Sequence, residues 1–475
     1  MLLSKELEIT RSRANPCKQL VLINQYKANI AECYVTIQFN GNSVPNMLAR
    51  LIITNLFLHI AFCKECYWNS CPYVLFGGKT LYDDVRGDIR DITDLKGCVP
   101  TSVWILARHG TRNPSSYDVR HMMETAKLKE EILNCYYKGR GQMCAEDISN
   151  LYNWKWNETM SSEPDCLVNK GYNELRQLGN RIKEKFTNLL ENVKHYQIRP
   201  TNQQRTIESA KAFTQGLKNF TFNITDPVEK DVILTPYKYC SKYLKEVWDG
   251  TRTQMEMNRY YETEEFKQLQ TNMKTRTNLT ELSINNIISL YDLCRFYRGY
   301  SESNMSPWCA LFTNDELPLL EYSKDLQHYY RNGYGNAINP KLGELVLKDL
   351  YQSFNNTIQT NDRSFTAYFS HDSLIEMVYS ALGLFQDHPR LTGSVRVKDR
   401  KWRTSLHTPF AANIIVVLNR CSTETEALVN QKYRVQFFIN EIEFQLCDNK
   451  TCDWKSFENK LKPFLNSSLD FCGTT

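Results

Sequence analysis

Arg108, His109, Gly110 and Arg112 stand together in the stretch Val103 to Pro114, which reads Val-Trp-Ile-Leu-Ala-Arg-His-Gly-Thr-Arg-Asn-Pro. Planar guanidinium forks suit tetrahedral oxyanions, because each can give two parallel N–H bonds to phosphate oxygens. An imidazole between two such groups is placed to attack or to protonate what they hold, and Gly110 lets the backbone turn tightly beside it. A lone His-Gly pair is most often a turn, and paired arginines are most often a solvated face. Here the pattern Arg-His-Gly-x-Arg-x-Pro is filled in order directly after an apolar run, a match expected by chance in fewer than roughly one chain in a thousand.

The elements that must position these groups follow from periodicity. The apolar run before Arg108 suits a buried strand that ends where charge begins. Tyr196 to Pro200 is a second strand candidate, followed by a helix with Thr201 as its cap and Arg205 one turn in. Such a helix end aims N–H groups and positive partial charge at an anion. Thr366 to Ser370 is a third strand candidate, and it delivers His371-Asp372 ahead of the helical run Leu374 to Leu384. A His-Asp pair alone is weak, but after a strand, opposite the first motif in an α/β sheet, it stands where substrate chemistry is expected. Asn413 to Leu418 and Tyr433 to Leu446 also read as strands. Between them lie helical patterns, at Met122, Met123, Leu128, Ile132 and Leu133, at Leu175, Leu178, Ile182, Phe186 and Leu189, and over 236–335. The expected fold class is α/β: a central mixed, mainly parallel sheet flanked by helices, with a largely helical cap domain made of insertions. Residues 65–120, 195–235 and 336–475 are assigned to the α/β domain, and 121–194 and 236–335 to the cap.

The 475 residues, 42% of them hydrophobic, allow one large domain or a few smaller ones. A net charge of +5 with interspersed acids and no long basic run gives no reason to expect nucleic acid. Met47 begins a basic start, an apolar run from Leu51 to Phe62 and the polar exit Cys63-Lys64-Glu65, the layout of a secretory signal peptide. Residues 47–64 are therefore expected to be a signal peptide and 1–46 an upstream extension absent from the mature protein, with no stable membrane insertion after cleavage. Sequons at Asn157, Asn219, Asn223, Asn278, Asn304, Asn355, Asn449 and Asn466 add modest support for export. Of 16 cysteines, 13 follow the signal, and none is spaced with histidines as a zinc site. Disulfides are the expected use, with at least one thiol left over, and Cys447 with Cys452 and Cys294 with Cys309 are local candidates.

The Arg-His-Gly-x-Arg-x-Pro motif resembles the active-site motif of the histidine phosphatases, in the branch of acid phosphatases and phytases. Ser306-Pro-Trp-Cys309, the stretch Glu321 to Gly335, Phe410-Ala-Ala-Asn-Ile414 and Phe437-Phe-Ile-Asn-Glu441 resemble multiple inositol polyphosphate phosphatases more specifically. The resemblance implies a phosphatase in which Arg108, Arg112, Arg205 and a protonated His371 bind the phosphoryl group. It implies His109 as the nucleophile that becomes a phosphohistidine, and Asp372 as the proton donor. No cofactor or metal is implied, and the implied partner is a small phosphorylated molecule such as inositol hexakisphosphate. One departure is that the inositol polyphosphate phosphatases usually carry His-Ala-Glu where this chain has His371-Asp372-Ser373. Asp372 or, one helical turn on, Glu376 would have to donate the proton. The competing expectations are a broad-specificity secreted acid phosphatase and a non-catalytic polyphosphate-binding protein.

Overall fold

The computed structural model describes Cys66 and residues 75–300, 306–422 and 432–473. The signal-peptide and upstream-extension expectations, Asn304 and Cys71 lie outside the described residues. Strand β1 (Cys98–Arg108) lies in the middle of the sheet order β2-β3-β1-β4-β5-β6, with β7 beside β5. The other strands are β2 (His195–Pro200), β3 (Ser364–Ser370), β4 (Asn413–Cys421), β5 (Tyr433–Ile439), β6 (Ile442–Phe444) and β7 (Cys452–Asp453). β3 pairs in parallel with both β1 and β2, whereas β4 to β7 join through antiparallel pairings. The run Tyr433 to Leu446 is a hairpin rather than one strand, because Asn440 and Glu441 turn the chain at φ 51° and 63°.

Register explains why the sheet carries a site. Arg108 stands opposite Ser370, and Pro200 opposite Phe369. The three parallel strands therefore end level, so that His109, Thr201 and His371 emerge together at their carboxyl ends.

A pleated strand sends alternate side chains to opposite faces, and β1 is buried on both. Val103, Ile105 and Ala107 pack with Leu175, Leu178 and Ile182 of α1 (Asn169–Glu191) and Ala210 and Phe213 of α2 (Gln204–Gly216). Trp104 and Leu106 pack on the other face with α5 (Ile338–Thr360) and α6 (Asp372–Ala381). Helix α1, placed with the cap from sequence, thus lies on the sheet, since its apolar stripe is the one that covers β1. A third core gathers other helices, among them α3 (Ile284–Tyr297) and α4 (Leu317–Arg331). Ile132 and Leu133 join that core, whereas Met123, expected on the same face, is exposed.

Disulfides join Cys66 to Cys144, Cys98 to Cys421, Cys240 to Cys472, Cys294 to Cys309 and Cys447 to Cys452. Both local pairs read from the sequence are present. Cys98–Cys421 staples β1 to β4 across a register pair. Among the described residues Cys135 and Cys166 are free thiols.

Candidate active site

Arg108 ends β1 with its side chain fully buried. Its Nη1 donates to the carbonyls of Gly78 (2.6 Å) and Thr408 (2.7 Å), and Nη2 lies 2.8 Å from Asp372 Oδ2. The guanidinium stacks over Phe410, 4.8 Å from the ring centre. His109 follows, with Phe410 6.2 Å away and the His371 ring 5.5 Å away. Its Nδ1 sits 2.8 Å from the Gly110 carbonyl, which can only accept, so Nδ1 carries the proton and Nε2 keeps its lone pair. Burial, then Arg205, Arg108 and His371, push the His109 pKa well below the ordinary imidazole value. A neutral imidazole with a free, oriented Nε2 is a competent nucleophile.

Arg112 and Arg205 arrive from different elements. Arg112 is in the loop after β1, and Arg205 is in the first turn of α2. They share one counterion, Asp165, at 3.2 Å from Arg112 and 3.9 Å from Arg205. The Nε atoms of Arg108, Arg112 and Arg205 are all buried without a hydrogen-bond partner. Orphaned guanidinium donors are costly unless something anionic is meant to meet them.

Thr201 does not cap the helix after β2. That helix starts at Gln204, with Gln203 at its N-cap and no side-chain cap bond. Thr201 instead places Oγ1 3.2 Å from His371 Nε2 and 3.0 Å from Thr206 Oγ1, because Pro200 delivers it beside the end of β3. His371 is the N-cap of α6 and Asp372 its first residue. Burial and Arg205 drive the His371 pKa well down, which favours the neutral imidazole before an anion arrives, whereas the protonated state expected above is that of the anion-bound site. Burial alone would raise the Asp372 pKa, but Arg108, His328, Lys79 and His109 outweigh it and hold the carboxyl well below its usual range. The helix start adds to this pull.

Glu376, the other donor candidate, is engaged by partners of its own. It is buried at 1% exposure, with Oε2 2.9 Å from His328 Nδ1 and accepting from Asn332 (2.8 Å), while Oε1 accepts from Thr408 (2.8 Å). It is fixed to α4 and to the Thr408 segment that supports Arg108.

Sequence reasoning missed several members of the site. Lys79 places Nζ 5.6 Å from the Phe410 centre, and burial with Arg112 and Arg108 lowers its pKa. Ser209 accepts from Gly110 N at 3.2 Å. Glu174 of α1 accepts from Thr111 N at 2.8 Å and from Thr111 Oγ1 at 2.8 Å. None of these has a local signal, since each reaches the motif from a distant element. Among the described residues one His, Cys, Asp or Glu cluster is compact enough for a metal, Cys66, Cys144 and Asp147, and its two sulfurs are joined in a disulfide.

Burial raises the Glu174 pKa to about 7. A carboxyl whose folded pKa lies above its unfolded value of about 4.3 costs stability as it ionises. This cost is absent below the unfolded pKa, grows as pH rises, and is complete above about pH 7, where it reaches roughly 4 kcal/mol. Glu174→Gln should therefore gain thermal stability relative to wild type at pH 8 but not at pH 4.5. Paired melting curves at the two pH values check this, and an equal shift at both would refute it.

The model of the histidine phosphatase superfamily (branch 2) matches residues 101–440. The multiple inositol polyphosphate phosphatase 1 of Drosophila melanogaster is 30% identical over 447 residues, covering 89% of this chain and 93% of that protein. The phytase from D. castellii superposes with a TM-score of 0.64 at 18% identity, over 85% of this chain and 88% of its own. The Bifidobacterium longum multiple inositol polyphosphate phosphatase, in complex with inositol hexasulfate, gives a TM-score of 0.58 at 15% identity, covering 78% and 92%. With Arg-His-Gly closing β1, His-Asp closing β3 and an arginine opening the helix after β2, the chain belongs to the histidine phosphatase superfamily, branch 2.

Proposed function

We propose that this protein is a secreted phosphatase that hydrolyses phosphate monoesters of inositol polyphosphates, of the inositol hexakisphosphate type, through a phosphohistidine. The observation that carries the reading is the convergence of three arginines with unpartnered buried Nε atoms around a neutral, oriented His109. A phosphate dianion repels nucleophiles and its alkoxide leaves poorly, so a catalyst must neutralise the one and protonate the other. Arg108, Arg112 and Arg205 clamp the phosphoryl oxygens. His371 joins them as a donor once the anion's charge has drawn a proton onto it. His109 Nε2 attacks in line, forming a P–N bond as the ester P–O bond breaks. The same incoming dianion raises the Asp372 pKa, so that a carboxyl ionised at rest gains the proton it gives to the leaving oxygen. Ionised again, Asp372 activates water to hydrolyse the phosphohistidine. The helical insertions act as a cap over this pocket. One feature supports export: the disulfides fit an oxidising compartment.

A broad-specificity acid phosphatase is the second reading, favoured by His371-Asp372 where the inositol polyphosphate phosphatases usually carry His-Ala-Glu, with Ser373 at the glutamate position. Phosphate release from inositol hexakisphosphate and from p-nitrophenyl phosphate, measured across acidic to neutral pH, separates the two. Higher kcat/KM on the inositol ester is expected. Equal or better turnover of the simple ester favours the second reading, and binding without release of phosphate rejects both.

A further inference from the structure

Helix α1 meets the catalytic loop at van der Waals distance because two glycines face each other. A Cβ on Gly110 would lie 2.3 Å from the Gly171 carbonyl oxygen, and one on Gly171 would lie 2.1 Å from that of Thr111. Neither position tolerates a side chain, so backbone rests on backbone. The contact is fastened where Val168 N donates to Thr111 O at 3.0 Å. One helical turn beyond Gly171, Glu174 takes both donors of Thr111, the N–H at 2.8 Å and the hydroxyl at 2.8 and 3.0 Å. Positions three apart share a helix face, which is why a glycine and a glutamate spaced this way can serve one loop residue. Glu174 is 3% exposed and forms no ion pair among the described residues. A buried carboxyl whose pKa burial raises to about 7 is an expensive way to pack a helix, and replacement by an apolar residue would be cheap if packing were its task. Thr111 lies between His109 with Gly110 on one side and Arg112 on the other.

We propose that Glu174 is the positioning residue of the catalytic loop: through both donors of Thr111 it sets the register in which His109 and Arg112 face one phosphoryl group. This rests on the phosphatase reading above. Glu174 does not touch the reacting atoms. It holds the loop in the geometry that in-line attack needs, where a misplacement of about 1 Å costs roughly 100-fold in rate. Its proton does not interfere with this task. A protonated carboxyl accepts from Thr111 N and donates to Thr111 Oγ1, and an ionised one accepts from both. Glutamine can reproduce the first arrangement, and leucine neither.

The test compares wild type, Glu174→Gln, Glu174→Leu and Thr111→Val for kcat and KM on inositol hexakisphosphate, and for the rise in melting temperature caused by inorganic phosphate. Glu174→Leu is expected to lose roughly 10- to 100-fold in kcat, more than KM rises, and at least half of the phosphate-induced shift. Glu174→Gln should stay within about threefold of wild type, as expected when the hydrogen bonds are kept. A folded Glu174→Leu with wild-type kcat and a wild-type phosphate shift overturns the proposal, since a merely structural glutamate changes stability without changing turnover per folded molecule. If Glu174→Leu does not fold, Thr111→Val decides: a kcat roughly 3- to 10-fold lower at unchanged melting temperature supports the proposal, and unchanged kcat overturns it. If the wild-type protein releases no phosphate, the phosphatase reading fails on its own. The phosphate-induced shift then decides alone whether Glu174 orders the anion-binding loop.

Discussion

His109→Ala should reduce phosphate release from any monoester to background, a loss of roughly 10⁴-fold or more. The loss is large because the nucleophilic lone pair held between the three arginines is that of the His109 Nε2. The remaining cations can bind phosphate but have nothing to transfer it to. Phosphate affinity should survive in the variant, because Arg108, Arg112 and Arg205 keep their places around the anion. In wild type, rapid acid-free quenching of a labelled turnover should trap phosphate on His109, recoverable as a base-stable, acid-labile phosphopeptide. Turnover above a tenth of wild type in His109→Ala, or label on another residue, would remove the nucleophile from His109.

Asp372→Asn should slow hydrolysis of inositol hexakisphosphate by roughly 10²- to 10⁴-fold, the range typical of a lost general acid. An inositol alkoxide needs a proton as it leaves, whereas p-nitrophenolate leaves well without one. The loss on p-nitrophenyl phosphate should therefore be at least about tenfold smaller, provided that the second step is not limiting. That contrast distinguishes proton donation from a structural role. Asp372 also pairs with the fully buried Arg108 at 2.8 Å, so the variant should melt earlier as well. Equal losses on both esters would mean that Asp372 acts only by holding Arg108. Glu376 should not rescue the variant, because His328, Asn332 and Thr408 already occupy its carboxylate.

The site was legible in the sequence where its chemistry is local. Arg108, His109 and Arg112 lie within five residues, and the strands read ahead of His109 and His371 do end at Arg108 and Ser370. The hydroxyl of Thr201 was misassigned because a threonine before a helix usually caps it. Here the parallel register with β3 brings His371 within reach instead. Helix α1 was recognised by its period but put in the wrong layer, since an apolar stripe says that a helix packs, not what it packs against.

Local order determined the reagents: which side chains can bind an oxyanion, that strands end beside them, and that a helix start follows the second strand. Charge states and partners were left to tertiary structure. Whether His371 is neutral, Asp372 ionised or Glu376 occupied depends on burial and on charges from segments distant in sequence, and Coulomb interaction acts through space rather than along the chain. For the same reason Lys79, Asp165 and Glu174 carry no signature of their own. They acquire a role only when level strand ends and two facing glycines bring their elements onto one loop.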